Sequence, residues 1–120
     1  MIRVLVTDDS RVMRQIVIRT LRQAGYDWDV REASDGAEAR DAIRADEPDV
    51  VLSDWNMPNM NGIDLLRRLR AEGFQTPFGF VTSEGSPEMR ATAEAAGALF
   101  LIAKPFTPDG FREVIEPVLA

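Results

Sequence analysis

The sequence predicts an α/β fold of the (βα)5 kind, a doubly wound parallel sheet with helices on both faces. Three observations predict it. Short apolar runs alternate with segments of helical periodicity along the whole chain. Glycines stand just past the first, third and fourth helical segments, where a left-handed residue is favoured. Hydroxyl or acidic residues open the first, second, fourth and fifth helical segments, with Pro87 and Pro108 in the first-turn place open to proline.

The elements follow in order. Residues 2–7 form the first strand. Residues 12–24 form the first helix, because Val12, Ile16 or Val17, Thr20, Leu21 and Ala24 recur at three-to-four spacing, with Ser10 before them and Gly25 after. Residues 28–33 form the second strand and 37–45 the second helix, opened by Ser34 or Asp35. The run Val50-Val51-Leu52 starts the third strand, 50–53, and the helix at 62–71 is closed by Gly73. Residues 78–82 form the fourth strand; Ser86 and Pro87 open the helix at 87–96, and Gly97 follows it. Residues 99–103 form the fifth strand, and Thr107 and Pro108 open the last helix, 108–119. Pro117 conflicts with that helix, since it removes a bond to the carbonyl of Glu113, and a kink or an end is expected there. No repeat or linker interrupts the pattern, so a single domain over 1–120 with no attached output domain is expected.

Composition narrows the chemistry. A chain of 120 residues with 45% hydrophobic and 28% charged residues suits a soluble globular domain. It has no cysteine and no histidine. Disulfides, thiolate metal sites, histidine-ligated zinc and Ser-His-Asp or Cys-His nucleophile systems are therefore excluded. The net charge is -6, which disfavours direct binding to nucleic acid or to anionic membranes. Arg67, Arg68 and Arg70 share their helix with Asp64 and Glu72 and read as a solvated face. Neither a signal peptide nor an apolar run of membrane-spanning length is present, so the cytoplasm is the expected compartment.

The chemically able residues fall at strand exits. Asp8 and Asp9 follow the first strand, Asp54 the third and Lys104 the fifth, while Thr82 closes the fourth. In a parallel sheet these exits share one edge, where ligands bind. Each residue alone has an ordinary explanation: a helix-capping acid, a turn, a hydroxyl cap or a lysine stretched along the surface. Together they bring three carboxylates, a hydroxyl and an ammonium to one place. The carboxylates would repel one another without a cation. Mg²⁺ resolves this, because it takes oxygen ligands, keeps waters and accepts a phosphoryl group.

The ordered set Asp8-Asp9-Ser10-Arg11, Asp54-Trp55-Asn56-Met57-Pro58-Asn59-Met60-Asn61-Gly62, Val81-Thr82-Ser83-Glu84, Ala96-Gly97-Ala98 and Lys104-Pro105-Phe106-Thr107 strongly resembles a response-regulator receiver domain, close to the stand-alone chemotaxis type. The resemblance implies a flavodoxin-like sheet in the order 2-1-3-4-5, an order already described for chemotaxis receivers. It implies that Asp54 is the phosphoacceptor, served by a sensor histidine kinase, a phosphotransfer protein or a small phosphodonor. Asp9, Asp54 and the backbone carbonyl of Asn56 would then ligate Mg²⁺ or Mn²⁺, with Asp8 acting through water. Thr82 and Lys104 would bind phosphoryl oxygens. Asn56 and Glu84 occupy the two positions that tune phosphoryl lifetime, and they resemble the fast-losing chemotaxis type. A downstream protein would dock on the face of the fourth helix, fifth strand and fifth helix. Leu101 stands three before the lysine, where the family often has an aromatic switch residue; strand alternation turns the neighbouring Phe100 to the other face.

Three rival readings have discriminating features. A small aspartyl phosphatase would want a second acid two residues after the nucleophile, where Asn56 stands. A flavin-binding domain would want a hydroxyl- and glycine-rich first loop instead of Asp8-Asp9-Ser10. A binding module that is never phosphorylated would not need the complete acceptor set.

Overall fold

The structure, a computed structural model, describes residues 2–119. Its elements alternate as read from the sequence: β1 (Arg3–Thr7), α1 (Arg11–Gln23), β2 (Asp29–Ala33), α2 (Gly36–Ala45), β3 (Val50–Ser53), α3 (Gly62–Ala71), β4 (Phe78–Thr82), α4 (Pro87–Ala95), β5 (Phe100–Ala103) and α5 (Pro108–Leu119). Every strand pairing is parallel, and the order is β2-β1-β3-β4-β5. This is the flavodoxin-like α/β fold.

Strand alternation splits the core into two layers. Leu5, Val51, Phe78, Phe80 and Leu101 face α2, α3 and α4, where Ile43, Leu66, Leu69 and Ala93 meet them. Val4, Val6, Leu52, Val81 and Ile102 face α1 and α5, packing on Val17, Leu21, Phe111 and Ile115. The central strands β1, β3 and β4 are buried on both faces, which explains their unbroken apolar runs. Each fully buried side chain of this size contributes roughly 1.5–3 kcal/mol.

The helix ends match the sequence signals. Ser10, Asp35 and Ser86 accept a backbone N–H as N-caps, and Thr107 Oγ1 accepts from Gly110 at 3.0 Å. Gly25, Gly73 and Gly97 have φ of 96°, 93° and 102°. Two expectations are corrected. Val12 is 68% exposed, and Val17, Ile18, Thr20 and Leu21 form the buried face of α1. Val12 lies in the first turn of α1, outside the set of α1 residues packed against the sheet. Of the kink or end expected at Pro117, the end does not occur, since α5 runs on to Leu119. In the final turn the missing amide forfeits a single bond.

Candidate functional site

Strand register brings the predicted residues to one edge. β1 and β3 end flush, with Thr7 opposite Ser53. Asp8 and Asp54 therefore leave the sheet side by side, at the point where the strand order reverses. The Asp54 N–H donates to the Thr7 carbonyl at 2.8 Å, carrying the ladder one residue past β3. β4 and β5 pair Thr82 with Ala103, and the Lys104 N–H donates to the Thr82 carbonyl at 2.8 Å. Ligand oxygens of Asp8, Asp9 and Asp54 all lie within 4.8 Å of one another. Lys104 Nζ stands 3.5 Å from Asp8 Oδ2.

The three carboxylates have different surroundings. Asp8 is buried, and its Oδ1 accepts the Ser10 N–H at 2.9 Å. Asp9 is exposed. Asp54 is half-buried, and its Oδ1 accepts the Trp55 N–H at 2.8 Å. Burial pushes the Asp8 carboxyl above the usual carboxylate range, against the pull of the Ser10 amide and Lys104. Burial, then the charge of Asp8, pushes Asp54 up as well. Crowded hard oxygen donors with one lysine among them suit a divalent cation of the Mg²⁺ class.

This strain has a measurable sign. A raised carboxyl pKa means that the folded protein holds a proton which the unfolded chain has released. Stability therefore falls as pH rises from the ordinary carboxylate pKa, about 4, through the raised values. Without metal, Asp54→Asn is expected to unfold at a higher temperature than the parent at pH 7. The gain should shrink toward pH 4 and also when Mg²⁺ is added to both proteins. An Asn variant less stable than the parent at pH 7 without metal would show that the carboxylates do not repel.

The loop from Asp54 to Asn61 is held from both ends. Ser53 Oγ donates to the Asp54 carbonyl at 2.8 Å, and the Gly62 N–H donates to the Trp55 carbonyl at 2.8 Å. A Cβ on Gly62 would collide with the Asp54 carbonyl oxygen and the Phe80 ring. Asn61 caps α3 by accepting the Asp64 N–H at 2.9 Å. Asn59 takes the left-handed φ of 66° and its Nδ2 donates to Asp35 Oδ2 at 2.8 Å, while Asp35 Oδ1 caps α2. The Gly36 N–H donates to the Met60 carbonyl at 3.2 Å, so close that a Cβ on Gly36 would strike it. The Asp35–Asn59 clamp was missed in the sequence, although an Asn inside a turn and an acid at a helix start are its separate signals. Beside the carboxylates lies a shallow depression lined by Asp9, Asn56, Met57, Pro58 and Asn61.

On the other side, Thr82 is fully buried, and its hydroxyl oxygen accepts the Glu84 N–H at 3.3 Å. Asn56 and Glu84 are exposed. Leu101 packs in the α2–α4 layer and Phe100 in the α1–α5 layer, as alternation requires. Arg90, unremarked in the sequence, reaches from α4 to the Leu101 carbonyl at 3.1 Å and the Gly85 carbonyl at 3.3 Å. It borders a groove of about 610 Å³ between α4 and β5, into which Leu99 also opens. Arg70 departs from the solvated face expected of it. Its guanidinium donates to the carbonyls of Phe74 at 3.0 Å and Gly97 at 3.3 Å. Arg67 and Arg68 are exposed as expected. The Lys104–Pro105 bond is cis.

Fold and site together define a flavodoxin-like domain with an acid cluster at the topological switch point. Residues 4–116 match the response regulator receiver domain, and the chain belongs to that family. It is 42% identical to the chemotaxis protein CheY1 of Helicobacter pylori strain J99 over 120 residues, covering 98% of this chain and 96% of that one. It is 44% identical to the chemotaxis protein CheY homolog of Campylobacter jejuni strain 81-176, over 98% of this chain and 92% of that one. Among solved structures it resembles the chemotaxis response regulator CheY4 of Vibrio cholerae with a TM-score of 0.86 and 37% identity, over 98% of both chains. The domain is thus a two-component signalling module highly similar to chemotaxis response regulators, and the phosphatase and unphosphorylated-module readings are not favoured. No helix among the described residues is long and apolar enough to cross a membrane.

Proposed function

We propose that Asp54 is the phosphoacceptor of a signalling switch, charged by a sensor histidine kinase, a phosphotransfer protein or a small phosphodonor. The observation that carries this is the cluster of Asp8, Asp9 and Asp54 oxygens within 4.8 Å, with Lys104 alongside. An Asp54 oxygen forms the new bond to phosphorus as the P–N bond of the donor phosphohistidine breaks. The electron pair of that bond returns to the imidazole nitrogen, which takes up a proton. Lys104 and the Thr82 hydroxyl bind the phosphoryl oxygens and offset their charge. Asp9, Asp54 and the Asn56 carbonyl are assigned to Mg²⁺ or Mn²⁺, with Asp8 reaching through water. When bound, the cation neutralises charge on the acceptor and the phosphoryl oxygens, which is most of what phosphoryl transfer requires. Asn56 and Glu84, both polar and exposed, leave a path for the water that hydrolyses the acyl phosphate, and their resemblance to the chemotaxis type sets the expected loss at roughly seconds to minutes.

Acetyl phosphate with Mg²⁺ is expected to add the mass of one phosphoryl group, and EDTA to prevent it. A protein that gains no mass in Mg²⁺ would overturn the reading.

The output surface is assigned to α4, β5 and α5, where a downstream protein docks. A ligand shifts a two-state element only through its differential contacts with the two states, and here that contact is the Thr82 hydroxyl. Thr82→Ala should uncouple beryllofluoride binding from amide shifts in residues 83–87. Leu101→Val should preserve them, because Leu101 is apolar filler. A Leu101→Val pattern that collapses while Thr82→Ala matches the parent would reroute the coupling.

A further inference from the structure

Arg14 lies on α1, six residues beyond Asp8, and its side chain is only 14% exposed. Its Nη1 donates to the Asp8 carbonyl oxygen at 2.6 Å, and its Nε donates to Glu32 Oε1 at 2.9 Å. Gln15 Nε2 donates to the same Glu32 oxygen at 3.2 Å. Glu32 lies on β2, next to Ala33, whose carbonyl accepts the Asp8 N–H at 3.1 Å. The guanidinium therefore ties the loop after β1 to the end of β2.

The atom it holds matters. The Asp8 carbonyl oxygen and the Asp9 nitrogen belong to one rigid peptide plane. Holding that oxygen restrains the plane, and with it the position of the Asp9 Cα from which the carboxylate projects. Asp8 itself is already held at its amide, at Oδ1 by Ser10 and at Oδ2 near Lys104. Asp9 is exposed and faces the repulsion of Asp8 and Asp54. A bare arginine so near would oppose a bound cation. Glu32 takes up that charge, leaving Arg14 a mechanical role with little net field.

We propose that Arg14, neutralised by Glu32, is a positioning residue that holds the Asp8–Asp9 peptide so that Asp9 presents its carboxylate to the divalent cation. This rests on the metal reading given above. Arginine is needed because its planar fork reaches two acceptors at once, which a lysine ammonium on a flexible stem does not reproduce. Partners that orient metal ligands typically contribute tenfold or more to metal affinity.

The test is a Mg²⁺ titration of the whole protein, followed by Trp55 fluorescence and by the amide shifts of Asp9 and Trp55, with urea unfolding of each variant alongside. Arg14→Lys keeps the charge and most of the apolar stem, so it is expected to fold. It should bind Mg²⁺ roughly tenfold more weakly than the parent. Arg19→Lys, the same change at an exposed position on the same helix, should bind as the parent does. Glu32→Gln keeps an acceptor for Nε but frees the positive charge, and it should weaken Mg²⁺ binding by less than Arg14→Lys. If the parent responds to Mg²⁺ and Arg14→Lys binds equally well, Arg14 only braces α1 against β2 and the proposal is overturned, whatever its urea midpoint. If the parent shows no response by either readout, the metal reading itself fails and the role of Arg14 falls with it.

Discussion

Asp54→Ala takes up no phosphoryl group from acetyl phosphate and Mg²⁺, under conditions where the parent takes up one. The expected loss is complete, because the neighbouring acids are differently placed. Asp8 is buried with its Oδ2 beside Lys104, and Asp9 hangs on an exposed loop. Asp54 alone of the three leaves β3 between β1 and β4, within the frame set by the Thr7 and Thr82 backbone bonds. The variant is expected to fold at least as well as the parent, since it removes a half-buried charge crowded by two others. Thermal unfolding would confirm that the loss is chemical. Intact mass and fragment mapping read the outcome, and a phosphoryl group on Asp54→Ala, mapped to Asp8 or Asp9, would move the acceptor.

Phe80→Ala should be the most damaging single change in the core. The ring is fully buried in β4, 5.2 Å from the Phe78 ring centroid and 4.8 Å from that of Trp55. Truncating a buried Phe typically costs 3–5 kcal/mol, about a third or more of the stability of an ordinary domain. For a chain of this size the unfolding temperature should drop by roughly 10–25 °C. The Phe80 ring also closes off the space beside Gly62, so the cavity opens directly under the acceptor loop. Trp55 fluorescence should shift in the folded variant. A loss below about 1 kcal/mol in urea unfolding would show that the layer collapses to fill the void.

Much of the fold was legible because its signals are local. The alternation of apolar runs with helical periodicity, the three left-handed glycines and the capping residues act within a few positions of where they stand, and these gave the element order. Strand order is different: nothing local says that β1 lies between β2 and β3, and it came from resemblance. Val12 was misread because periodicity reports which residues share a helical face and not whether the sheet extends far enough to cover it. The strand-exit rule put Asp8, Asp9, Asp54, Thr82 and Lys104 in their places because parallel register alone determines that edge. What escaped was bracing between elements by ordinary polar residues. Arg70 on the Gly97 carbonyl and Asn59 on Asp35 join segments far apart in sequence, while Arg14 on the Asp8 carbonyl and Arg90 on the Leu101 carbonyl bridge separate elements nearer in the chain. An arginine that binds a carbonyl looks, in one dimension, like any other surface arginine.

The two glycines packed against the Asp54–Asn61 loop determine where this domain can be redesigned. At Gly62 and Gly36 backbone meets backbone with no room for a methyl group, so neither the loop's length nor its path can be changed without displacing Asp54. Asn56 and Glu84 point into solvent and bear on no such contact. If those two positions set the phosphoryl lifetime as proposed, an engineer can vary them without touching the close packing at Gly36 and Gly62.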